Sequence, residues 1–265
     1  MKRRELIRAS AAFAAAATPL LGRAAQPCPP PVVSAAGGTT ATTACTAASA
    51  TTYSSSFDTP ESRLSEGGRW RQADPINQTF VQIVGGRAFG TLAASASPPP
   101  YRDSNAYATG FGNNHEVEGV IYRNPAAPGS PNREVAILLR CFEGNSRLTA
   151  WGTSAAHYYY FSWSHIGAYL ILNDFLSPAE LKRAPSCPAP VSGDRFRGRI
   201  EGRRLRCWVN DVLQIDHTDN NPDYSVSNPT AAGYHPTGNP GIGFYCDNGA
   251  SVTDFGFDSV TIRAL

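Results

Sequence analysis

Between Arg195 and Asp216 the chain alternates polar and apolar residues through three short runs, and each reversal falls on residues suited to a tight turn. The runs are Arg195-Phe-Arg-Gly-Arg-Ile200, Leu205-Arg-Cys-Trp-Val209 and Val212-Leu-Gln-Ile-Asp216, separated by Glu201-Gly202 and Asn210-Asp211. A period of two puts successive side chains on opposite faces of a strand, whereas a helix repeats its apolar residues every three to four positions. Short Asx- and Gly-containing turns join such runs as antiparallel hairpins. A hairpin series with one apolar face needs a second layer to cover that face. Gly238-Asn-Pro-Gly-Ile-Gly-Phe-Tyr-Cys246 and Asp254-Phe-Gly-Phe-Asp-Ser-Val-Thr-Ile262 continue the pattern.

The same grammar runs upstream. Strands are expected around Tyr53–Asp58, Gly67–Trp70, Phe80–Val84, Arg87–Leu92, Asn105–Gly110, Val117–Tyr122, Glu134–Arg140, Leu148–Gly152, His157–Trp163 and Tyr169–Leu172. With 24 Gly and 21 Pro the chain has turn formers for many strands, and 42% hydrophobic residues supply a core. Only Ser177-Pro-Ala-Glu-Leu-Lys-Arg183 reads as a helix, from an N-cap Ser followed by Pro. The expected class is all-β, a two-sheet antiparallel sandwich in one domain spanning 53–265.

The amino terminus has a different character. Basic Lys2-Arg-Arg4 precedes the apolar run Ala11–Leu21 and the small residues around Ala24, the build of a bacterial signal peptide over 1–24. Arg3-Arg4 with Leu6-Ile7 resembles a twin-arginine export signal, and general secretory export is the alternative. The apolar run, about a dozen residues, is too short for a transmembrane segment. The expected location is therefore periplasmic or extracellular. Residues 25–52, rich in Pro, Ala and Thr, read as a linker or arm.

The whole chain carries a formal charge of +2, and because the first 24 residues contribute +4 the remainder is near −2. Without a basic run, nucleic acid is not an expected partner. Six cysteines, Cys28, Cys45, Cys141, Cys187, Cys207 and Cys246, permit up to three disulfides in an exported chain, although Cys141, Cys207 and Cys246 also fit as buried small residues.

Phe57-Asp58 and Trp70, Val135–Arg140, Tyr158–Trp163, Gly193-Asp194 with Leu205–Asn210, Gly241-Ile-Gly243 and Phe257-Asp-Ser-Val260 together resemble the concanavalin A-like lectin/glucanase superfamily, which includes laminin G-like modules. The resemblance covers most of 53–265 and implies a jelly roll that contacts polysaccharide or oligosaccharide through its concave sheet, as a monomer. Under it, Trp151, Tyr158, Tyr160 and Trp208 are candidate sugar contacts, since apolar sugar faces stack on rings. In Leu205–Val209, burying Leu205, Cys207 and Val209 turns Arg206 and Trp208 outward. If Tyr159, Phe161 and Trp163 form the core face, Tyr158, Tyr160 and Ser162 look the other way.

The resemblance also implies two enzyme alternatives, and a structural envelope protein that uses the sandwich for protein contacts is the third reading. The Glu-x-Asp-x-(x)-Glu motif of the glucanases is absent, and the nearest same-face carboxylates are Glu116 and Glu118, read either as a hydrolytic pair or as a solvated strand edge. A lyase needs a cation, a base and a tyrosine, for which Arg140, His157 or His165, and Tyr160 or Tyr169 are the candidates. No cofactor is expected to be obligatory. A structural calcium, as in relatives, would use Asp258 with Asp58, or else Asp258 pairs with an arginine.

Overall fold

The computed structural model describes residues 51–73, 79–91, 103–129, 132–142, 157–174, 180–222, 234–247 and 250–265. The expected signal peptide, nearly all of the expected linker with Cys28 and Cys45, the expected Leu148–Gly152 strand and Trp151 lie outside the described residues.

The strands are β1 (Thr52–Ser55), β2 (Trp70–Gln72), β3 (Gln82–Ile83), β4 (Ala88–Phe89), β5 (Asp103–Ala108), β6 (His115–Arg123), β7 (Arg133–Phe142) and β8 (His157–Ser164). They continue as β9 (Leu170–Asp174), β10 (Glu180–Arg183), β11 (Arg195–Glu201), β12 (Arg204–Val209), β13 (Val212–Thr218), β14 (Asn239–Cys246) and β15 (Phe255–Ala264). They form two antiparallel sheets. The first runs β13-β12-β11-β6-β15-β4-β3, with β1 also on β15, and the second runs β10-β9-β8-β7-β14-β5-β2. Hairpin neighbours lie side by side at one end of each sheet, while strands remote in sequence pair in the middle: β6 with β15, and β14 with β7 and β5. This is the two-sheet sandwich the strand pattern implied, in the jelly-roll arrangement that the resemblance implied.

The alternation sorts each strand into an inner and an outer face. Val135, Ile137 and Leu139 of β7, Tyr159, Phe161 and Trp163 of β8, and Leu205, Cys207 and Val209 of β12 all join one buried core. Across the sandwich Trp163 meets Phe196 with ring centroids 5.5 Å apart, and Phe244 meets Phe257 at 5.6 Å. Burying each large side chain contributes roughly 1.5–3 kcal/mol. Gly119 makes one of these contacts feasible, because a Cβ there would lie 2.4 Å from the Phe257 ring. At the β12–β13 reversal Asn210 and Asp211 have φ of 50° and 64°, the left-handed pair that a two-residue hairpin turn demands.

Two expectations are corrected. The proposed helix at Ser177–Arg183 is, from Glu180, the strand β10, which pairs with β9 through Glu180↔Asn173 and Arg183↔Ile171. A free sheet edge offers backbone partners that outweigh a weak local helical preference. No disulfide forms among the described residues, which do not include Cys28 and Cys45, and the alternative reading of the other cysteines holds. Cys141, Cys207 and Cys246 are buried as small side chains, and burial pushes the Cys207 thiol well above its ordinary pKa.

Candidate functional site

The outer face of the second sheet holds a shallow depression, open to solvent, whose enclosed part has room for about one water molecule. Strand register builds it row by row. Asp103, Tyr245 and Glu134 lie abreast on β5, β14 and β7; Asn105, Gly243, Ala136 and Ser162 form the next row; Tyr107, Gly241, Leu138, Tyr160 and Asn173 the third. The middle strand, β14, thus offers two glycines to this face. A Cβ on Gly243 would lie 2.3 Å from Asn105 Oδ1, so the missing side chain is what lets the Asn105 amide lie across the strand. Asn105 Nδ2 then donates to Tyr158 Oη at 2.9 Å, and the Tyr158 and Tyr160 rings meet edge to face at 5.8 Å.

Glu134 is the polar centre of this face. Ser162 Oγ donates to its Oε2 at 2.5 Å, Asn132 Nδ2 to its Oε1 at 3.0 Å, and the Tyr169 hydroxyl also to Oε1. Ser164 Oγ in turn donates to Asn132 Oδ1 at 3.0 Å, and Tyr245 Oη to Asp247 Oδ1 at 2.7 Å. Glu134 is only 4% exposed, and Tyr158 and Tyr160 are 3% and 9% exposed. The tyrosines therefore offer no open ring face. The site is a surface of oriented donors and acceptors around an ionisable carboxylate, held in place by hydrogen bonds.

The other sequence candidates lie elsewhere. Trp208 is on the outer face of the first sheet, where the Arg197 and Arg206 guanidinium groups lie 4.7 and 5.5 Å from its ring. Glu116 and Glu118 share that face on β6, a strand in the interior of its sheet and not at an edge. Arg263 holds Glu116 at 2.8 Å, and Arg199 and Arg197 approach Glu116 and Glu118 at 3.9 and 4.0 Å, so each carboxylate faces arginines and not the other in an open cleft.

Arg140, 1% exposed, is buried at one end of the sandwich, in a bulge of β7 with φ of 53°. Its Nε donates to Asn113 O at 2.8 Å, Nη1 to Tyr234 Oη at 2.5 Å and His235 O at 2.7 Å, and Nη2 to Gly202 O at 2.8 Å and Asn114 Oδ1 at 3.2 Å. All five guanidinium donors are thereby used on structural partners. Beside it, fully buried His115 donates from Nδ1 to Gly112 O at 2.8 Å and accepts the Arg140 N–H on Nε2 at 3.2 Å. Burial, reinforced by the Arg140 charge and partly offset by the Gly112 bond, lowers its pKa from 6.5 to about 4.

His165 is also wholly buried, with Nε2 3.2 Å from Pro128 O, and beside it Arg133 pairs with Asp254 at 3.0 Å. Burial lowers the His165 pKa as well. Tyr169 reaches the groove network through Glu134; the His157 side chain lies outside the described residues. The lyase constellation is therefore not assembled from Arg140 and His165.

The calcium reading does not fit the donor set. Asp258 pairs with Arg87 Nε at 2.7 Å, which takes up the negative charge a cation would need, and exposed Asp58 accepts from Ser56 Oγ at 2.6 Å. Among the described residues no group of three or more His, Cys, Asp or Glu is placed to hold a metal ion.

Sequence reasoning singled out Tyr158, Tyr160 and Ser162 on this face but not Glu134, Asn105, Asp103 or Tyr245. For Glu134 a signal was there: if Val135, Ile137 and Leu139 point inward, Glu134 must point outward. The other three required knowing that β14 inserts between β5 and β7.

Comparison with solved structures bears on the fold. A protein of unknown function with a galectin-like fold from Bacillus subtilis matches at TM-score 0.50 with 10% identity, over 80% of this chain and 92% of that one. This chain shares that galectin-like, two-sheet fold. Two further solved structures align more loosely: a carbohydrate binding module from Bacillus subtilis (13% identity, TM-score 0.42, 74% and 92% covered) and a Bacillus licheniformis β-glucanase (10%, 0.43, 80% and 94%). No family model and no curated protein matches the chain.

Proposed function

We propose that this protein is an exported lectin-like domain that binds an oligosaccharide or polysaccharide in the depression on its second sheet. One observation carries the reading: Asn105, Glu134, Tyr158, Tyr160 and Ser162, drawn from three strands, converge around the glycine trough of β14. A sugar offers many hydroxyls that both donate and accept, and a preformed set of amide, carboxylate and hydroxyl groups matches that chemistry without a conformational change. Export is supported by the basic and apolar build of residues 1–24.

A glycan array tests the proposal, scored for retention and for chain cleavage on the same spots. Retention without cleavage, reduced at least tenfold by Tyr160→Ala in a protein that keeps its far-UV spectrum, is the expected result. Retention unchanged by that substitution would move the site elsewhere.

Hydrolysis is the second reading, favoured by Asp103 and Glu134 on either side of Tyr245. Two strand spacings put their backbones about 10 Å apart. Release of reducing ends that is abolished by both Asp103→Asn and Glu134→Gln would establish it.

A further inference from the structure

We infer that the outer face of the first sheet carries a second binding site, a block of three arginines and a tryptophan that takes the carboxylate or sulfate groups of an anionic glycan. The site lies on the sheet opposite the depression, so it stands whether or not the depression binds sugar.

Strand register builds the block. Arg197 and Arg199 are successive outward residues of β11, Arg206 and Trp208 of β12, and the pairing sets Arg199 beside Arg206 and Arg197 beside Trp208. Like charges abreast on neighbouring strands destabilise a sheet unless a counter-charge meets them. Here Glu201 does so, its Oε2 accepting from Arg199 Nη2 at 3.0 Å and from Arg206 Nη2 at 2.7 Å. Three of the other carboxylates that border the block are held by arginines outside it: Glu116 by Arg263, Asp211 by Arg195 and Asp216 by Arg204. Arg199 approaches Glu116 only at 3.9 Å, and Arg197 approaches Asp211 at 3.3 Å and Glu118 at 4.0 Å. The three cations of the block are thus left with Glu201 and the more distant Glu118.

The block also holds unused donors. A guanidinium has five N–H groups, all of which Arg140 uses on the protein. Among the described residues Arg199 and Arg206 make one side-chain hydrogen bond each and Arg197 makes none. The Nε atoms of Arg199 and Arg206 are shielded from solvent with no protein partner. These side chains are nevertheless held in place: Arg197, Arg199 and Arg206 are only 23%, 28% and 20% exposed, and Arg197 and Arg206 lie 4.7 and 5.5 Å from the Trp208 ring. Stacking fixes a guanidinium plane without occupying its N–H edge, whereas a bidentate carboxylate bond would occupy two donors. Positioned, partly desolvated donors suit an oxyanion. Half-buried Trp208 and, opposite it on β13, exposed Leu213 form an apolar margin on which a sugar ring can rest, which favours a glycan as the carrier of that oxyanion.

The test titrates the full chain with oligogalacturonate, sulfated dextran and neutral dextran of matched length, and with phosphatidylglycerol vesicles and single-stranded RNA as other oxyanion carriers. Calorimetry and the arginine Nε–Hε resonances report binding. At least one acidic oligomer should bind on the order of tenfold tighter than neutral dextran, less so as salt rises, and move the Hε signals of Arg197, Arg199 and Arg206 together. Arg197→Gln combined with Arg206→Gln should abolish that preference. Trp208→Leu, which removes no charge, should cut it roughly threefold or more by releasing the two guanidinium groups, and carries the test if the double variant loses its fold. Neutral glycans retained in the depression should be retained equally by these variants, which separates the two sites. Acidic oligomers bound no tighter than neutral dextran, or bound as tightly by the folded variants, would overturn the inference. Vesicles or RNA bound more tightly than both acidic oligomers would overturn the assignment to a glycan.

Discussion

His115 makes the stability of this sandwich depend on pH in a calculable way. Its imidazole is fully buried at the start of β6, donating to Gly112 O and accepting from the Arg140 backbone, a pattern only the neutral ring can make. Its pKa is 6.5 when unfolded and about 4 when folded. Between those values the unfolded chain binds a proton that the folded one refuses, so stability rises with pH. The contribution is present in full above pH 6.5 and is lost as the pH falls toward 4. At 1.36 kcal/mol per pH unit the loss amounts to roughly 3 kcal/mol, a large share of the 5–15 kcal/mol typical of a domain.

Urea unfolding of wild type and His115→Asn at half-unit steps from pH 7.5 to 4 isolates this effect. Asparagine keeps a donor and an acceptor at the site but does not titrate. His165 and His217, whose pKa values burial also lowers, contribute with the same sign to both proteins and cancel in the difference. The wild type should lose about 3 kcal/mol more than the variant across the window, whatever their offset at pH 7.5. Parallel curves would show that His115 takes up its proton as readily folded as unfolded, and would refute the argument.

Arg140→Met should cost at least about 3 kcal/mol in the same assay, because Tyr234, Gly202, Asn113 and His235 lose a buried donor together. Gly119→Val should cost several kcal/mol, on the order of an overpacked core, because the new side chain meets the Phe257 ring; near-wild-type stability would mean that the ring has another seat. Arg87→Ala should change stability by less than about 1 kcal/mol, since the pair with Asp258 is more than a third exposed, and adding a chelator should leave the melting temperature unchanged. Under native conditions an aromatic disulfide reagent should fail to label Cys207, whose burial suppresses its thiolate, and should label it promptly in urea.

The alternation in Arg195–Asp216 contains its own structure, because strand period and turn chemistry are local. The burial of Leu205, Cys207 and Val209, the outward position of Arg206 and Trp208, and the left-handed turn at Asn210-Asp211 all follow from neighbours within a few residues. Parity likewise assigns Tyr158, Tyr160 and Ser162 to one face. Parity does not say what lies opposite a face. Trp208 and Tyr160 read alike as outward aromatics, yet one sits among arginines on the first sheet and the other beside Glu134 on the second. Arg140 and His165 looked like free functional groups because a charged or imidazole side chain carries no mark of burial until partners distant in the chain close around it. The strand at Glu180–Arg183 was hidden for a related reason, since the edge of β9 decided it and not local propensity.

What the order of residues could settle alone was strand against helix, inner against outer phase and the position of the turns, all of them short-range. The order of strands across each sheet, set by pairings between residues a hundred or more positions apart, decided the rest. It placed β14 between β5 and β7, and only that insertion brings Asp103, Asn105, Glu134 and the two tyrosines around a glycine trough.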